Sequence, residues 1–292
     1  DAAGGGGDDY INASFVRLQS ARANEPVPLY IAAQAPVAAS VADFWRLVWQ
    51  QKARTVIMVG GSGESATYWP DAAAGEGQRR FGAFLVAYAS IVSGVQTHEW
   101  GRTREFMVHA ADAPNLTDQD VAMRTGRNVM LWQYEEPRDA ASPAAVARYV
   151  DFVQRLERNR RLKPKVRAAP IVVHSRDGRG GAGTFVLAHH TIAEFQRSQR
   201  AAKAAGTSLT HYFDLPATVA LLHQQRPALV ERDAELLFVY RVVCDFVGRE
   251  LGIDALKSPR GERAYPAVLT DADQAKQKQQ RAAAAAAAAA AA

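Results

Sequence analysis

The stretch Ile171–Phe185, IVVHSRDGRGGAGTF, decides the fold of this chain. Its first three residues are apolar and β-branched, which predicts a short buried strand. From Thr184 to Arg200 the apolar positions predict a long helix. The loop between them is rich in glycine, at Gly178, Gly180, Gly181 and Gly183. Glycines let successive backbone N–H groups turn inward, and a helix N-terminus adds unpaired donors, so the unit as a whole predicts an anion site.

The residues around the glycines make this prediction more specific. His174 ends the strand, and Gly183, Thr184 and Phe185 close the loop. This resembles the phosphate-binding loop of the protein tyrosine phosphatases, Val-His-Cys-Ser-Ala-Gly-x-Gly-Arg-Thr-Gly-Thr-Phe. The resemblance places the family's nucleophilic cysteine on Ser175 and its phosphate-gripping arginine on Gly181. The anion-binding candidates that it implies are Ser175, Arg176, Asp177, Gly178, Arg179, Gly180, Gly181 and Ala182.

Further stretches are similar to motifs of the same family, and they extend the resemblance from about Asp9 to Leu251. They are DYINASF at Asp9–Phe15, YIAAQAP at Tyr30–Pro36, and YWP at Tyr68–Pro70. The resemblance implies an α/β fold, the tyrosine phosphatase fold, with a central, highly twisted mixed sheet flanked by helices on both sides. The expected organisation is a poorly defined segment 1–8, a domain 9–252 and a polar tail 253–292. That tail ends in pure alanine, which reads as a helix or, as we favour, as placeholder residues.

Residue patterns predict the main elements around the loop. The apolar run Thr55–Val59 predicts a central strand. Alternating residues at 80–93 and 97–109 predict two antiparallel strands joined near Gly94, and Val129–Tyr134 predicts another strand. Predicted helices cover 41–51, 144–159, 215–223 and 231–252.

Composition excludes several classes of function. The 292 residues contain 35 Lys and Arg against 30 Asp and Glu, an excess too small to indicate nucleic-acid binding. The single cysteine, Cys244, excludes internal disulfides and is expected to be a buried core residue in a reducing, cytoplasmic compartment. No apolar run approaches the roughly 20 residues of a membrane span, so no membrane insertion is expected. No histidine or cysteine spacing predicts a metal site, and no cofactor is expected.

The resemblance also implies the parts that phosphotyrosine hydrolysis needs, beginning with the nucleophile and the cation. A loop of this kind lowers a cysteine pKa to roughly 3.5–7.5, but a serine needs an adjacent general base. His174 is adjacent to Ser175 in sequence, yet neighbours on a strand point to opposite faces. Arg176 and Arg179 either turn inward to replace the missing guanidinium or, as we predict, are exposed. Asp177 adds a negative charge to the same loop.

The acid and the water-positioning residues are altered as well. Alignment of the family's lid loop places its acid on Asp139, within a loop that lacks the family's tryptophan and glycine. An alternative register uses Trp132 as the loop tryptophan and places Tyr134 at the acid position. The family's two water-positioning glutamines fall on Glu231 and Glu235, whose carboxylates raise the cost of binding a phosphate.

These departures predict a pseudophosphatase whose work is binding. We expect a protein-binding scaffold, or a structural subunit of a larger assembly, with other proteins as partners and no nucleic acid. One alternative is a weak phosphotyrosine-peptide reader that uses the glycine-rich loop. A second alternative is an active phosphatase that uses Ser175 as nucleophile with Asp139 as acid.

Overall fold

Nine strands and six helices form the described part of the chain in a computed structural model. It describes residues 10–20, 27–61, 63, 65–90, 95–110, 126–135, 142–209 and 213–252. The strands are β1 (Ala13–Val16), β2 (Tyr30–Gln34), β3 (Thr55–Val59), β4 (Gln78–Phe81), β5 (Phe84–Tyr88), β6 (Val95–His98), β7 (Gly101–Ala110), β8 (Arg127–Tyr134) and β9 (Ile171–Ser175). The helices are α1 (Val41–Gln50), α2 (Pro143–Leu162), α3 (Pro164–Ala168), α4 (Gly181–Ala205), α5 (Leu215–Gln225) and α6 (Asp233–Leu251).

All nine strands belong to one mixed, twisted sheet, as the sequence predicted. The strand order is β1-β2-β9-β3-β8-β7-β5-β4, and β6 pairs with β7. The four central strands β2, β9, β3 and β8 run parallel, whereas the outer pairs are antiparallel. Every residue of β3 and β9 is buried, which requires cover on both faces of the sheet. The glycine-rich loop therefore leaves the centre of the sheet at the carboxyl end of β9.

Aromatic residues of α1 and of the YWP motif lie in the core. Phe44, Trp45 and Tyr68 pack together with ring centroids 4.9 to 6.1 Å apart. The indole N–H of Trp45 donates to the backbone oxygen of Tyr68 at 2.8 Å, which joins α1 to the segment after β3. Tyr68 of the YWP motif is therefore a core residue that binds α1, which explains why this motif indicates a fold.

Two of the predicted strands are each interrupted by a turn. Residues 80–93 do not form one strand, because Gly82 adopts a φ of +57° and turns β4 back onto β5. Gly101 adopts a φ of +146° at the start of β7, where an added Cβ would lie 2.0 Å from the backbone oxygen of Gln133. The single-strand prediction was wrong in both places because glycine opens a backbone region that alternation does not reveal. The predicted turn near Gly94 lies outside the described residues.

The chain divides into two compact units, residues 1–246 and 247–292. Only residues 247–252 of the second unit are described, and all but the last belong to α6. The proposed bounds at 8 and 252 stay a prediction, and the segments beyond them lie outside the described residues. Cys244 is only partly buried, so its prediction as a buried core residue was wrong. None of the helices in the described ranges is long and apolar enough to span a membrane.

Candidate active site

The glycine-rich loop connects β9 to α4 and is shaped by two glycines with positive φ. Gly178 has a φ of +73°, and a Cβ there would lie 2.5 Å from the carbonyl carbon of Ala33. Gly180 has a φ of +45°. Both values belong to the left-handed region that glycine adopts without a steric penalty. The loop consequently packs directly on the backbone of β2.

Ser175 begins the loop and is buried, with 7% of its surface exposed. Its hydroxyl donates a hydrogen bond of 2.7 Å to the backbone oxygen of Arg179. The N–H of Ala182 lies 3.0 Å from the same carbonyl oxygen and 3.4 Å from Ser175 Oγ. The hydroxyl, the carbonyl and the amide thus form a closed set of hydrogen bonds within the loop.

The orientation of the Arg179 carbonyl matters for anion binding. A peptide group is planar and trans, so a carbonyl that points to Ser175 turns the N–H of Gly180 away from it. An anion cradle needs inward N–H donors, whereas a carbonyl oxygen carries partial negative charge. The group of this peptide that faces Ser175 is therefore the carbonyl oxygen of Arg179 and not the N–H of Gly180.

His174 faces away from Ser175, toward α1. Its Nε2 lies 2.7 Å from the hydroxyl of Tyr68, and its ring packs edge-on against Phe44. Burial lowers the pKa of His174 to about 3, so the imidazole is neutral near pH 7. The two neighbours lie on opposite faces of β9, and His174 is not placed to act as a general base for Ser175.

Both arginines of the loop are exposed, as the sequence predicted. Gly181 is the first residue of α4 and carries no side chain. Arg176 is exposed. Arg179 is also exposed, and its Nε lies 3.4 Å from Asp177 Oδ2, while its backbone N–H donates to Asp177 Oδ1 at 3.0 Å. In this arrangement Asp177 and Arg179 pair with each other at the outer side of the loop.

Of the two glutamates, Glu235 lies against the loop and Glu231 is exposed. Glu235 Oε2 accepts the backbone N–H groups of Glu231 and Arg232, which caps the first turn of α6. Glu235 Oε1 pairs with the guanidinium of Arg232 at 2.6 Å. A Cβ added at Gly180 would lie 2.8 Å from Glu235 Oε1, so this buried carboxylate lies directly against Gly180 of the loop.

Arg226 is a site residue that the sequence reasoning missed. Its Nε donates to the backbone oxygen of Gly178 at 2.8 Å, and one terminal nitrogen donates to the backbone oxygen of Asp177 at 3.1 Å. The same guanidinium binds Asn12 Oδ1 and Ser14 Oγ. Burial lowers the pKa of Arg226. A signal was present in the DYINASF motif, which contains both Asn12 and Ser14, but that motif was interpreted only as an indicator of the fold.

The predicted acid, Asp139, lies outside the described residues. The alternative register can be judged, since both of its residues belong to β8. Trp132 stacks on Trp100 with centroids 5.7 Å apart, and Tyr134 packs edge-on against Tyr149 at 4.7 Å. Both side chains are buried in the core, so neither belongs to a lid loop. In the described part of the chain, no group of three or more His, Cys, Asp or Glu residues is arranged to hold a metal ion.

Sequence comparison matches residues 2–245 to the family described as protein-tyrosine phosphatase. The chain belongs to this family. It is 27% identical to tyrosine-protein phosphatase 2 of Dictyostelium discoideum, over 91% of the chain and 63% of that protein. It is 29% identical to receptor-type tyrosine-protein phosphatase N2 of Mus musculus, over 83% of the chain and 21% of that protein. It is 28% identical to receptor-type tyrosine-protein phosphatase-like N of Homo sapiens, over 82% of the chain and 21% of that protein.

This membership explains the fold and the position of the loop. The chain spans between a fifth and two thirds of these relatives' lengths, so it corresponds to one part of each of them. Their names include both phosphatases and a phosphatase-like protein, which makes the chemistry of this chain a question for its own residues.

Proposed function

We propose that this protein-tyrosine phosphatase domain does not hydrolyse phosphate esters and instead serves as a protein-binding scaffold or a structural subunit of a larger assembly. The observation that carries the proposal is the hydrogen bond of 2.7 Å from Ser175 Oγ to the backbone oxygen of Arg179. It commits the hydroxyl proton to a carbonyl and turns that carbonyl toward the reaction centre. A serine without an adjacent general base is a poor nucleophile in such a place.

Two further features of the site support inactivity. Gly181 has no side chain to form the paired, charge-assisted hydrogen bonds by which arginine holds phosphate. The buried carboxylate of Glu235 lies against Gly180, where it repels an incoming dianion. Together with the hydrogen bond of Ser175, these two features all act against the binding or hydrolysis of a phosphate ester.

We infer the scaffold role from the folded sheet and core of the domain. The sheet order is complete in the described residues, and the aromatic core around Trp45 is closely packed. A domain that retains its core while the reactive groups of its site are missing is useful for its surface. The single cysteine of the sequence fits work in a reducing compartment.

Hydrolysis of p-nitrophenyl phosphate by the purified chain tests the first half of the proposal. The expected rate equals that of the Ser175→Ala variant. A rate above this background that disappears in Ser175→Ala would establish the serine phosphatase alternative instead. Arg80→Ala, a change of an exposed residue on β4, serves as the matched control for handling.

Capture of partners from cell extract tests the second half. The expected result is that the same proteins bind the wild-type chain and the Ser175→Ala/Asp139→Ala double variant. Titration with a phosphotyrosine peptide separates the reader alternative, because the closed loop predicts no binding at millimolar peptide. Binding that is lost when Gly178 is replaced by a bulky residue would favour the reader over the scaffold.

A further inference from the structure

A cavity of about 550 Å³ lies on the domain far from the glycine-rich loop. It is bordered by residues 27–29, by the end of α2, by α3 and by the second half of α4. Leu29 accepts the backbone N–H of Ile171, the first residue of β9, so the cavity borders the amino end of the strand whose carboxyl end carries the loop. Along α4, Arg197 is 16 residues from Gly181, or roughly 24 Å at the helical rise of about 1.5 Å per residue.

The lining of this cavity is strongly basic. Five arginines and one glutamate line it, a formal excess of four positive charges among the lining residues, or three when Glu194, the partner of Arg197, is included. The charged lining residues are Arg160, Arg161, Arg167, Arg197, Arg200 and Glu157. The whole chain has an excess of only five positive charges, so this concentration is not a consequence of average composition.

Glu157, the carboxylate of the lining, is paired with three basic side chains. Glu157 lies 2.9 Å from His189 Nε2, 3.7 Å from Arg160 Nε and 3.5 Å from Arg161 Nε. Burial alone would raise the pKa of Glu157, but the hydrogen bond and charge of His189 and the two arginines hold that pKa at about 2. Glu157 therefore remains an anion and compensates part of the basic charge without removing the excess.

The five arginines of the lining differ in burial. Arg160 is buried and binds Thr55 Oγ1 and the backbone oxygens of Arg167 and Ala169. Arg197 is buried as well and pairs with Glu194 at 2.9 Å. Arg161, Arg167 and Arg200 are exposed. The lining thus combines two buried arginines that are bound within the fold with three exposed ones, of which Arg161 also binds Gln196.

A guanidinium group can bind a phosphate through two parallel N–H···O hydrogen bonds, and it is more weakly hydrated than an ammonium group. Several guanidinium groups around one cavity match a compact ligand that carries several phosphates. We propose that this cavity binds a polyphosphorylated small molecule of the inositol polyphosphate class, either free or as the headgroup of a lipid. The site is separate from the phosphatase loop, and its occupation does not depend on whether that loop is active.

Isothermal titration of the full chain with inositol hexakisphosphate tests the assignment. The Arg167→Glu/Arg200→Glu variant reverses two exposed charges at the opening, and we expect its affinity to fall by roughly tenfold or more. Arg46→Glu/Arg80→Glu makes the same charge change at exposed residues outside the cavity and should bind within about twofold of wild type. Arg179→Ala, in the glycine-rich loop, should also bind like wild type. Circular dichroism checks that each variant is folded.

The outcomes are distinguishable. Absence of binding at millimolar inositol hexakisphosphate, or equal losses in the cavity variant and the Arg46/Arg80 control, would overturn the proposal. A loss confined to Arg179→Ala would move the ligand to the loop and overturn it as well. Co-sedimentation with phosphatidylcholine vesicles, with and without a phosphatidylinositol bisphosphate, then identifies the source. Binding that needs the phosphorylated lipid indicates a headgroup, and solution binding alone indicates a free ligand; either supports the site.

Discussion

The hydroxyl of Tyr68 lies 2.7 Å from Nε2 of His174, and both side chains are fully buried. The pair joins the YWP segment to the last strand before the glycine-rich loop. Burial raises the pKa of Tyr68 and lowers the pKa of His174 to about 3, so both groups are neutral in the folded protein near pH 7. The imidazole therefore supports the loop through a hydrogen bond and not through charge.

A buried neutral histidine makes stability depend on pH. The ordinary histidine pKa is 6.5, so below that pH the unfolded chain binds a proton that folded His174 refuses. The contribution of His174 to the free energy of unfolding is therefore constant above pH 6.5. Below that pH, the free energy of unfolding should fall by about 1.4 kcal/mol per pH unit as the pH drops toward 3. His190, whose pKa is lowered to about 3 by burial and by Arg197 and His189, adds a similar slope.

Urea unfolding at a series of pH values measures this slope. The His174→Gln variant should lose the contribution of one histidine, whereas Tyr68→Phe should lower stability at every pH and keep the slope. The second variant is the control, because it removes the hydrogen bond and leaves a buried imidazole in place. Equal slopes in wild type and His174→Gln would contradict the buried neutral state.

Arg226 is expected to contribute strongly to stability, because it binds two backbone oxygens of the loop and two side chains near β1. Hydrogen bonds from a charged group contribute about 1.5–3 kcal/mol each but are not additive. Arg226→Ala should therefore lower the free energy of unfolding by about 2 to 4 kcal/mol, measured in urea. Arg226→Lys should recover little of this, since lysine lacks the planar fork.

Arg232 provides the matched control for that experiment. Its side chain is 73% exposed although it pairs with Glu235, and Arg232→Ala should cost less than about 1 kcal/mol. Similar losses in Arg226→Ala and Arg232→Ala would show that Arg226 does not hold the loop.

The fold was predictable from two kinds of signal. The β-branched runs of β3 and β9 indicate buried strands through local composition, and the YWP and DYINASF motifs indicated the fold through their resemblance to the family. The site was less predictable, because its contacts join distant residues. Arg226 reaches Gly178 across 48 positions, and the side chain of Glu235 reaches Gly180 across 55. The direction of the Arg179 carbonyl depends on the peptide next to Gly180, and glycine permits several orientations there.

Gly183 provides a prediction that opposes helix propensity. It lies within the first turn of α4, where alanine is ordinarily about 1 kcal/mol more favourable than glycine. A Cβ at this position would lie 1.5 Å from the backbone oxygen of Leu229, so the segment after α5 would have to move. Gly183→Ala should destabilise the protein by about 3 kcal/mol in urea unfolding.

Gly206 at the end of α4 is the comparison for that variant. Its φ of +63° strains any side chain, but no atom lies within 4 Å of an added Cβ. Gly206→Ala should cost only about 1 kcal/mol. A Gly183→Ala protein as stable as Gly206→Ala would mean that helix α4 and Leu229 are not in close contact.

A cysteine at position 175 and an arginine at position 181, where the resemblance places the family's reactive groups, should not by themselves produce catalysis. The Ser175→Cys/Gly181→Arg variant supplies a thiol and a guanidinium, but the N–H of Ala182 still binds the carbonyl of Arg179 and Glu235 still lies against Gly180. We expect its hydrolysis of p-nitrophenyl phosphate to equal that of the same variant with Ser175→Ala in place of the cysteine. Adding Glu235→Gln removes one repulsive charge while keeping the capping hydrogen bonds of α6, so the triple variant should exceed the double variant. If the double variant turns over faster than its alanine counterpart and as fast as the triple variant, a thiol and a guanidinium are sufficient for hydrolysis, and neither the Arg179 carbonyl nor Glu235 opposes phosphate binding.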